Sequence, residues 1–310
     1  MMGKKIVIVM PDGVGLKNFG FSNVSKFLKN EGFELLYWNS TPFDLSKLGL
    51  KFMNLSNSIP AKADLLKKAK IDLELDEFSL HFNNKVFQTY KFPLKSNSFK
   101  AYLKKQITNY YKLIYKNRIN AIQLKINQTI IASKEYKEAL NQLKLEQPDI
   151  LFSTNQRASN AIAPVLAAKS LNIQTACFIF SWDNLPKATK IIETDYYFVW
   201  SEFMRNELQA YYPHIEYDQI KVVGTPQFEY HYKLKEEQKK EFHKKYKLSD
   251  HTNYILFSGD DVTTSPKDEQ YLESVCNAVM NINNNSEHNL EVIFRPCPVD
   301  FSNRYDKVLN

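Results

Sequence analysis

Cysteine is scarce in this chain, and the three present, Cys177, Cys276 and Cys297, are odd in number and far apart. That spacing excludes a disulfide framework and a zinc site, and it suits a reducing compartment. Long apolar runs are missing too. The longest, Ile6 to Met10 and Thr175 to Phe180, fall far short of the roughly 20 residues a bilayer span needs. Pro11-Asp12-Gly13 follows the first at once, where a signal peptide would have a small-residue cleavage site. A cytoplasmic protein is therefore expected. No G-x-x-x-x-G-K-[ST] and no G-x-S-x-G occurs, which removes P-loop NTPases and the usual α/β-hydrolases. Asn18 stands where the third glycine of a dinucleotide fingerprint would fall after Gly13 and Gly15, so NAD or FAD binding has little support. No His pairs with Cys or another His at metal-ligand spacing.

What is present supports two globular domains: 310 residues, 44% of them hydrophobic and 14% aromatic, are enough for real cores. The net charge of +7 is unevenly spread, because Lys95 to Glu138 alone holds ten Lys or Arg and two Glu. Lys5 to Met10 has the continuous apolar character of a central parallel strand. The loop after it carries Gly13, Gly15 and Gly20, which predicts positive φ and close approach to a ligand, or simply a tight strand-to-helix turn. A helix from Ser22 or Asn23 to a stop at Gly32 and a strand over Phe33 to Trp38 complete a βαβ opening.

From Pro42 to Phe92 the pattern is irregular. Within it Ile71-Asp72-Leu73-Glu74-Leu75-Asp76 alternates as an amphipathic edge would, rather than as a metal-binding acidic motif. Phe99 to Leu145 lacks Gly and Pro and places Leu103, Ile107, Tyr111, Ile114, Arg118, Ile122 and Ile126 at helical spacing, predicting one or two long helices that carry the basic excess. Next come a strand over Pro148 to Phe152, a helix over Ala158 to Leu171 bent near Pro164, and a strand over Ile173 to Phe180. Between Asp195 and Tyr230 the chain reads strand, helix capped by Ser201, strand, then the corner Gly224-Thr225-Pro226. Such corners, at the carboxyl ends of strands in open α/β sheets, are where ligands bind.

Lys233 to Lys247 is charged and helical, with the look of a connector, and a second α/β pattern begins near 251. Two strands and one helix do not close a doubly wound sheet, so that domain is expected to continue past Asn310.

Four places have site character. In Ser181 to Asn184, Trp182, Asp183 and Asn184 offer a stacking face, a base and an amide, or else a structural Trp with an Asx turn. Gly224-Thr225-Pro226 is a cleft wall or a plain connector. Ser258 and Gly259 offer a small residue and free amides for a phosphate. Arg295 can pair with the same phosphates or be an ordinary surface arginine.

The linked set D-G-V-G-L-K-N-F, S-W-D-N-L, V-G-T-P-Q-F and R-P-C-P-V-D-F-S-N-R-Y-D resembles bacterial surface-polysaccharide glycosyltransferases of the GT-B class, neighbours of the CDP-glycerol glycerophosphotransferases. The resemblance spans most of the chain outside about 42–145, and departs from the family's R-P-H-P at Cys297. It implies an α/β, GT-B-like chain with two Rossmann-like domains facing a cleft, the second incomplete. Residues 1–232 would form the acceptor-side domain with a basic helical insertion at 95–145, 233–250 a linker, and 251–310 the start of the nucleotide-sugar domain.

The implied activity is transfer of a sugar from a nucleotide-sugar co-substrate, without obligatory metal or other cofactor, to a glycan or lipid-linked acceptor. Asp12 and Asp183 are then the candidate bases. Thr225, Ser258, Gly259 and Arg295 are donor-side candidates, and Gly13, Gly15, Asn18, Trp182 and Asn184 form the acceptor-side loops. The rivals are a glycerol- or polyol-phosphate transferase and a non-catalytic nucleotide-binding remnant. The basic segment 95–138 suits either an anionic membrane surface, on the inner face of the cell membrane, or solvent. Nucleic acid is not expected: Tyr102, Tyr110, Tyr111 and Tyr115 interleave with the lysines, but nothing else supports it.

Overall fold

The computed structural model describes residues 4–91, 98–232 and 236–309. The start of the basic segment at Lys95 and the start of the expected linker at 233–235 lie outside the described residues. The chain divides into two compact units, Met1–Tyr232 and Lys233–Asn310.

The first unit is built on a parallel sheet of seven strands in the order β3-β2-β1-β4-β5-β6-β7. These are β1 (Lys5–Met10), β2 (Glu34–Asn39), β3 (Phe52–Asn54), β4 (Ile150–Ser153), β5 (Gln174–Phe178), β6 (Tyr196–Val199) and β7 (Ile220–Val222). β1 lies between β2 and β4, with Val7 opposite both Leu36 and Leu151. Its alternate side chains feed two cores. Val7 and Val9 face one, and Ile6, Ile8 and Met10 face the other. A strand buried on both faces reads as an unbroken apolar run, which is why it was legible. The strand order reverses between β1 and β4, so the switch point opens at their carboxyl ends.

Helix α1 (Val24–Asn30) connects β1 to β2 and ends at Gly32, whose φ of 84° supplies the expected left-handed stop. Between β3 and β4 lie α2 (Ala61–His81), α3 (Phe99–Tyr115), α4 (Ile119–Ile131) and α5 (Lys134–Glu146). The structure corrects two readings here. Ile71 to Asp76 is no edge but the middle of α2. Residues two apart on a helix point in divergent directions, and each acid meets a different lysine: Asp72 pairs with Lys112, Glu74 with Lys70 and Asp76 with Lys91. Phe99 to Leu145 is three helices, broken where Asn117 adopts a φ of 57° and where Ser133 caps α5. In addition, Pro164 lies in the first turn of α6 (Ile162–Ser170), where a proline does not bend a helix. Helix α7 (Glu202–Tyr211) joins β6 to β7, with Ser201 Oγ accepting from the Met204 amide at 3.4 Å as its cap.

In the second unit α8 (Glu236–Tyr246) precedes β8 (Asn253–Ser258), α9 (Asp268–Asn285) and β9 (Leu290–Arg295). β8 and β9 pair in parallel. Leu272 and Val279 of α9 and Tyr305 are buried beneath them.

Candidate functional site

The switch point is built on a cap. Asp12 Oδ1 accepts the amides of Val14 at 3.1 Å and Gly15 at 3.0 Å, and its Oδ2 accepts from Asn155 Nδ2, at the end of β4. Asn155 is fully buried and its Oδ1 in turn accepts the Arg157 amide at 2.8 Å. The exposed Arg157 guanidinium lies 4.6 Å over the Phe180 ring, just past β5. On the other side Asn160 Nδ2 donates to Ser40 Oγ at 3.0 Å, after β2, and to Asn57 Oδ1 at 3.1 Å, after β3. A carboxylate, several amides and a cation thus converge at the strand ends.

The glycines act differently from expectation. Asp12 starts a helical turn at Gly13–Gly15 that runs into a π-helix, Leu16–Gly20. Gly15 has an ordinary helical φ of −58°. It is needed because a Cβ there would collide with Thr154 Oγ1, which is held 3.0 Å from the Val9 carbonyl. Around Gly13 there is open space. Asn18 is 1% exposed, and neither atom of its amide has a partner among the described residues.

Trp182, Gly224 and Thr225 are brought together. With Trp200, Phe203 and Phe228 they line an open cleft of about 650 Å³ at the ends of β6 and β7, beside the first turn of α7. Gly224 turns the chain there with a φ of 73°. Trp182 is 65% exposed, a free stacking face. Its neighbours are turned away. The Asp183 carboxylate takes Lys187 and the Ser181 hydroxyl, and accepts from Asn184 Nδ2 at 3.1 Å. Burial works to raise the Asp183 carboxyl, but Lys187 and Ser181 outweigh it and hold it below its ordinary value. Asn184 is buried, and its Oδ1 accepts from Thr189 at 3.3 Å. A second cavity, about 340 Å³ between α1 and the sheet, is lined by Ile8, Phe152, Phe178 and Phe198 and offers nothing to orient a polar substrate.

In the second unit, Ser258 and Arg295 are register partners, with Arg295 Nη1 3.4 Å from Ser258 Oγ, and the Gly259 amide donates to the Arg295 carbonyl at 2.9 Å. Gly259 lets Tyr305 approach closely; a Cβ there would lie 2.9 Å from its hydroxyl. The amides beyond it are occupied by carboxylates: Asp260 N donates to Asp268 at 3.2 Å, and Thr263 and Thr264 N donate to Asp261 at 2.8 and 3.1 Å. Among the described residues the Arg295 guanidinium and the Ser258 hydroxyl are still able to meet an anion there.

Sequence reasoning missed a buried ionic cluster behind the Trp182 loop. Lys190 is fully buried and pairs with Glu193, which accepts from the Tyr197 hydroxyl at 2.9 Å and lies 3.7 Å from His214. Lys70 of α2 reaches the Lys190 carbonyl at 3.1 Å and Glu74 at 2.8 Å. Burial opposes the Glu193 charge, yet Lys190 above all drives its pKa well below the usual carboxylate range. Asn155, Arg157 and Asn160 were missed as well. Only their position just after a predicted strand could have marked them.

No protein-family model and no curated protein matches this sequence. Solved structures do. The S. aureus MnaA–UDP co-structure has a TM-score of 0.52 at 12% identity, over 98% of this chain and 64% of that one. A glycosyltransferase from Rickettsia africae ESF-5 gives 0.52 at 14%, over 99% and 64%. The UDP-GlcNAc 2-epimerase from Methanocaldococcus jannaschii gives 0.50 at 15%, over 98% and 67%. This chain thus spans about two thirds of the length of the structures it matches. At such identities the likeness is one of fold: mixed α/β, with the seven-stranded parallel sheet of a GT-B, Rossmann-like protein.

Proposed function

We propose that this chain takes a sugar from a nucleotide-sugar donor, UDP-linked, and transfers it to an acceptor hydroxyl on a glycan or lipid-linked chain in cell-surface polysaccharide assembly. The observation that carries this reading is the oriented, half-buried Asp12 carboxylate at the switch point. In the transfer the acceptor oxygen forms a bond to the anomeric carbon as the bond to the nucleoside diphosphate breaks. The acceptor proton passes to a carboxylate, and cationic or amide groups take up charge on the departing diphosphate. Asp12 suits the first task better than Asp183, which spends its charge on Lys187.

Gly13, Gly15 and Asn18 shape the acceptor loop, Trp182 offers a face for an acceptor ring, and Asn184 holds the loop that presents it. Ser258, Gly259 and Arg295 of the second unit are assigned to the donor, as is Thr225 of the first, a unit that otherwise takes the acceptor side. The nucleotide sugar is a co-substrate, and the proposal includes no metal or further cofactor. Work on a lipid-linked acceptor places the protein at the cytoplasmic face of the membrane.

The fold likeness to UDP-GlcNAc 2-epimerases favours a second reading, epimerisation of the donor sugar itself. Thermal shift against UDP-, GDP-, TDP- and CDP-linked sugars and CDP-glycerol tests the donor. A rise in melting temperature with a UDP-sugar is expected. A rise with CDP-glycerol alone would select the glycerophosphate alternative, and no rise with any of them would overturn nucleotide-sugar use.

A further inference from the structure

Helix α3 is amphipathic the wrong way round for a surface helix of a globular protein. At about 100° per residue, Phe99, Leu103, Ile107, Tyr110, Leu113 and Ile114 fall on one arc, and every one of them is exposed, Phe99 and Leu113 to 76% each. The opposite arc is the one that packs. Thr108 is buried, Tyr111 and Tyr115 lie against the core, and Lys112 pairs with Asp72 of α2 at 2.8 Å. The outward arc runs along a helix of 17 residues, about 25 Å. At one end it meets Leu80, 80% exposed, which lines the same groove as Leu113.

Charge identifies what covers this arc. Residues 98 to 118 contain six Lys or Arg and no Asp or Glu. Lys100 borders one edge of the apolar arc, Lys105 lies about 80° beyond the other, and Lys116 follows its end, all exposed. A second protein surface would have to bring acids to both flanks and an apolar strip between them. An anionic bilayer presents that combination everywhere, with headgroup charge above and acyl chains below.

We infer that α3 lies in the plane of an anionic membrane surface, its Phe99-to-Ile114 arc inserted at the acyl boundary and its lysines at the headgroups. The sequence pointed to a basic segment suited to an anionic membrane surface or to solvent. The structure supplies the apolar arc that turns charge attraction into docking. This inference stands apart from the sugar-transfer reading, because vesicle binding needs neither donor nor acceptor.

The test is cosedimentation of the full chain with phosphatidylcholine vesicles, with and without phosphatidylglycerol. Binding is expected only to the anionic vesicles. F99D/L113D should lower the partition coefficient at least about tenfold, and K100Q/K105Q/K116Q by on the order of 100-fold. F301S, which removes a still more exposed aromatic from the second unit, should change nothing. Leu113→Trp should shift its fluorescence to the blue on anionic vesicles. Unchanged binding of F99D/L113D, or no blue shift, would overturn the inference. So would a dimer in sedimentation velocity that F99D/L113D converts to monomer without any vesicle binding, since the arc would then seat a second copy.

Discussion

Asn155 donates its side-chain amide to the carboxylate of Asp12 across the point where the strand order reverses, so the ends of β1 and β4 are tied through a group that is still partly open to solvent. Asn caps a helix about as well as Asp. Asp12→Asn keeps an oxygen for the Val14 and Gly15 amides but turns an NH2 toward the buried Asn155 Nδ2. It should lower stability by about 1–3 kcal/mol, the cost of one unpaired buried donor, while lowering turnover by about 10²–10⁴-fold, the usual contribution of a positioned base. Asp183→Asn should cost far less turnover. Parallel melts and initial rates of the two variants separate chemistry from folding.

Gly13 and Gly15 stand two residues apart in the same helical turn, one exposed and one buried, so a methyl group should be felt at only one. At Gly15 it meets Thr154 Oγ1, which cannot retreat without losing the Val9 carbonyl. Gly15→Ala should destabilise by about 1–3 kcal/mol, as overpacking does. Gly13→Ala should stay within about 0.5 kcal/mol, in the range of ordinary surface changes. Urea unfolding midpoints measure both.

Lys190 has no water to turn to if Glu193 is removed. Glu193→Gln should cost about 3–5 kcal/mol by leaving a buried charge uncompensated, and adding Lys190→Met should recover part of the loss. The pH dependence follows from the sign of the shift. A carboxyl whose folded pKa lies below its unfolded value contributes stability that is fully present above the unfolded value, here 4.5, and is lost as the pH falls toward the folded one. The wild type should lose stability on acidification below about pH 4.5 more steeply than Glu193→Gln in denaturant titrations.

Trp182 is too exposed to matter for folding. If its face receives a sugar ring, Trp182→Ala should raise the acceptor KM by up to about tenfold, the reach of one aromatic contact, with kcat little changed. Steady-state kinetics at saturating donor would show it.

The parallel sheet was legible because its central strands are apolar runs cut off by Pro, Gly and Ser, and α7 because Ser201 caps a clean apolar stripe. α2 was not. It is packed on several sides, so both halves of its alternation are occupied, Leu73 and Leu75 by core and Glu74 by a buried lysine. The helical spacing in α3 was real, but spacing does not say which way a stripe points: Leu103, Ile107 and Ile114 face outward. At the site, a strand-end aspartate could be named from the chain alone. Its partner Asn155, more than a hundred residues away, required the sheet order.

The most direct test of the account is the release of nucleoside diphosphate from a UDP-sugar donor, followed with and without acceptor for the wild type and Asp12→Asn. Release that depends on acceptor, accompanied by a new glycosidic bond and lowered on the order of 100-fold in Asp12→Asn while the donor still raises that variant's melting temperature, is the expected result. An epimerised sugar formed without acceptor, or release at the same rate in Asp12→Asn, would contradict it.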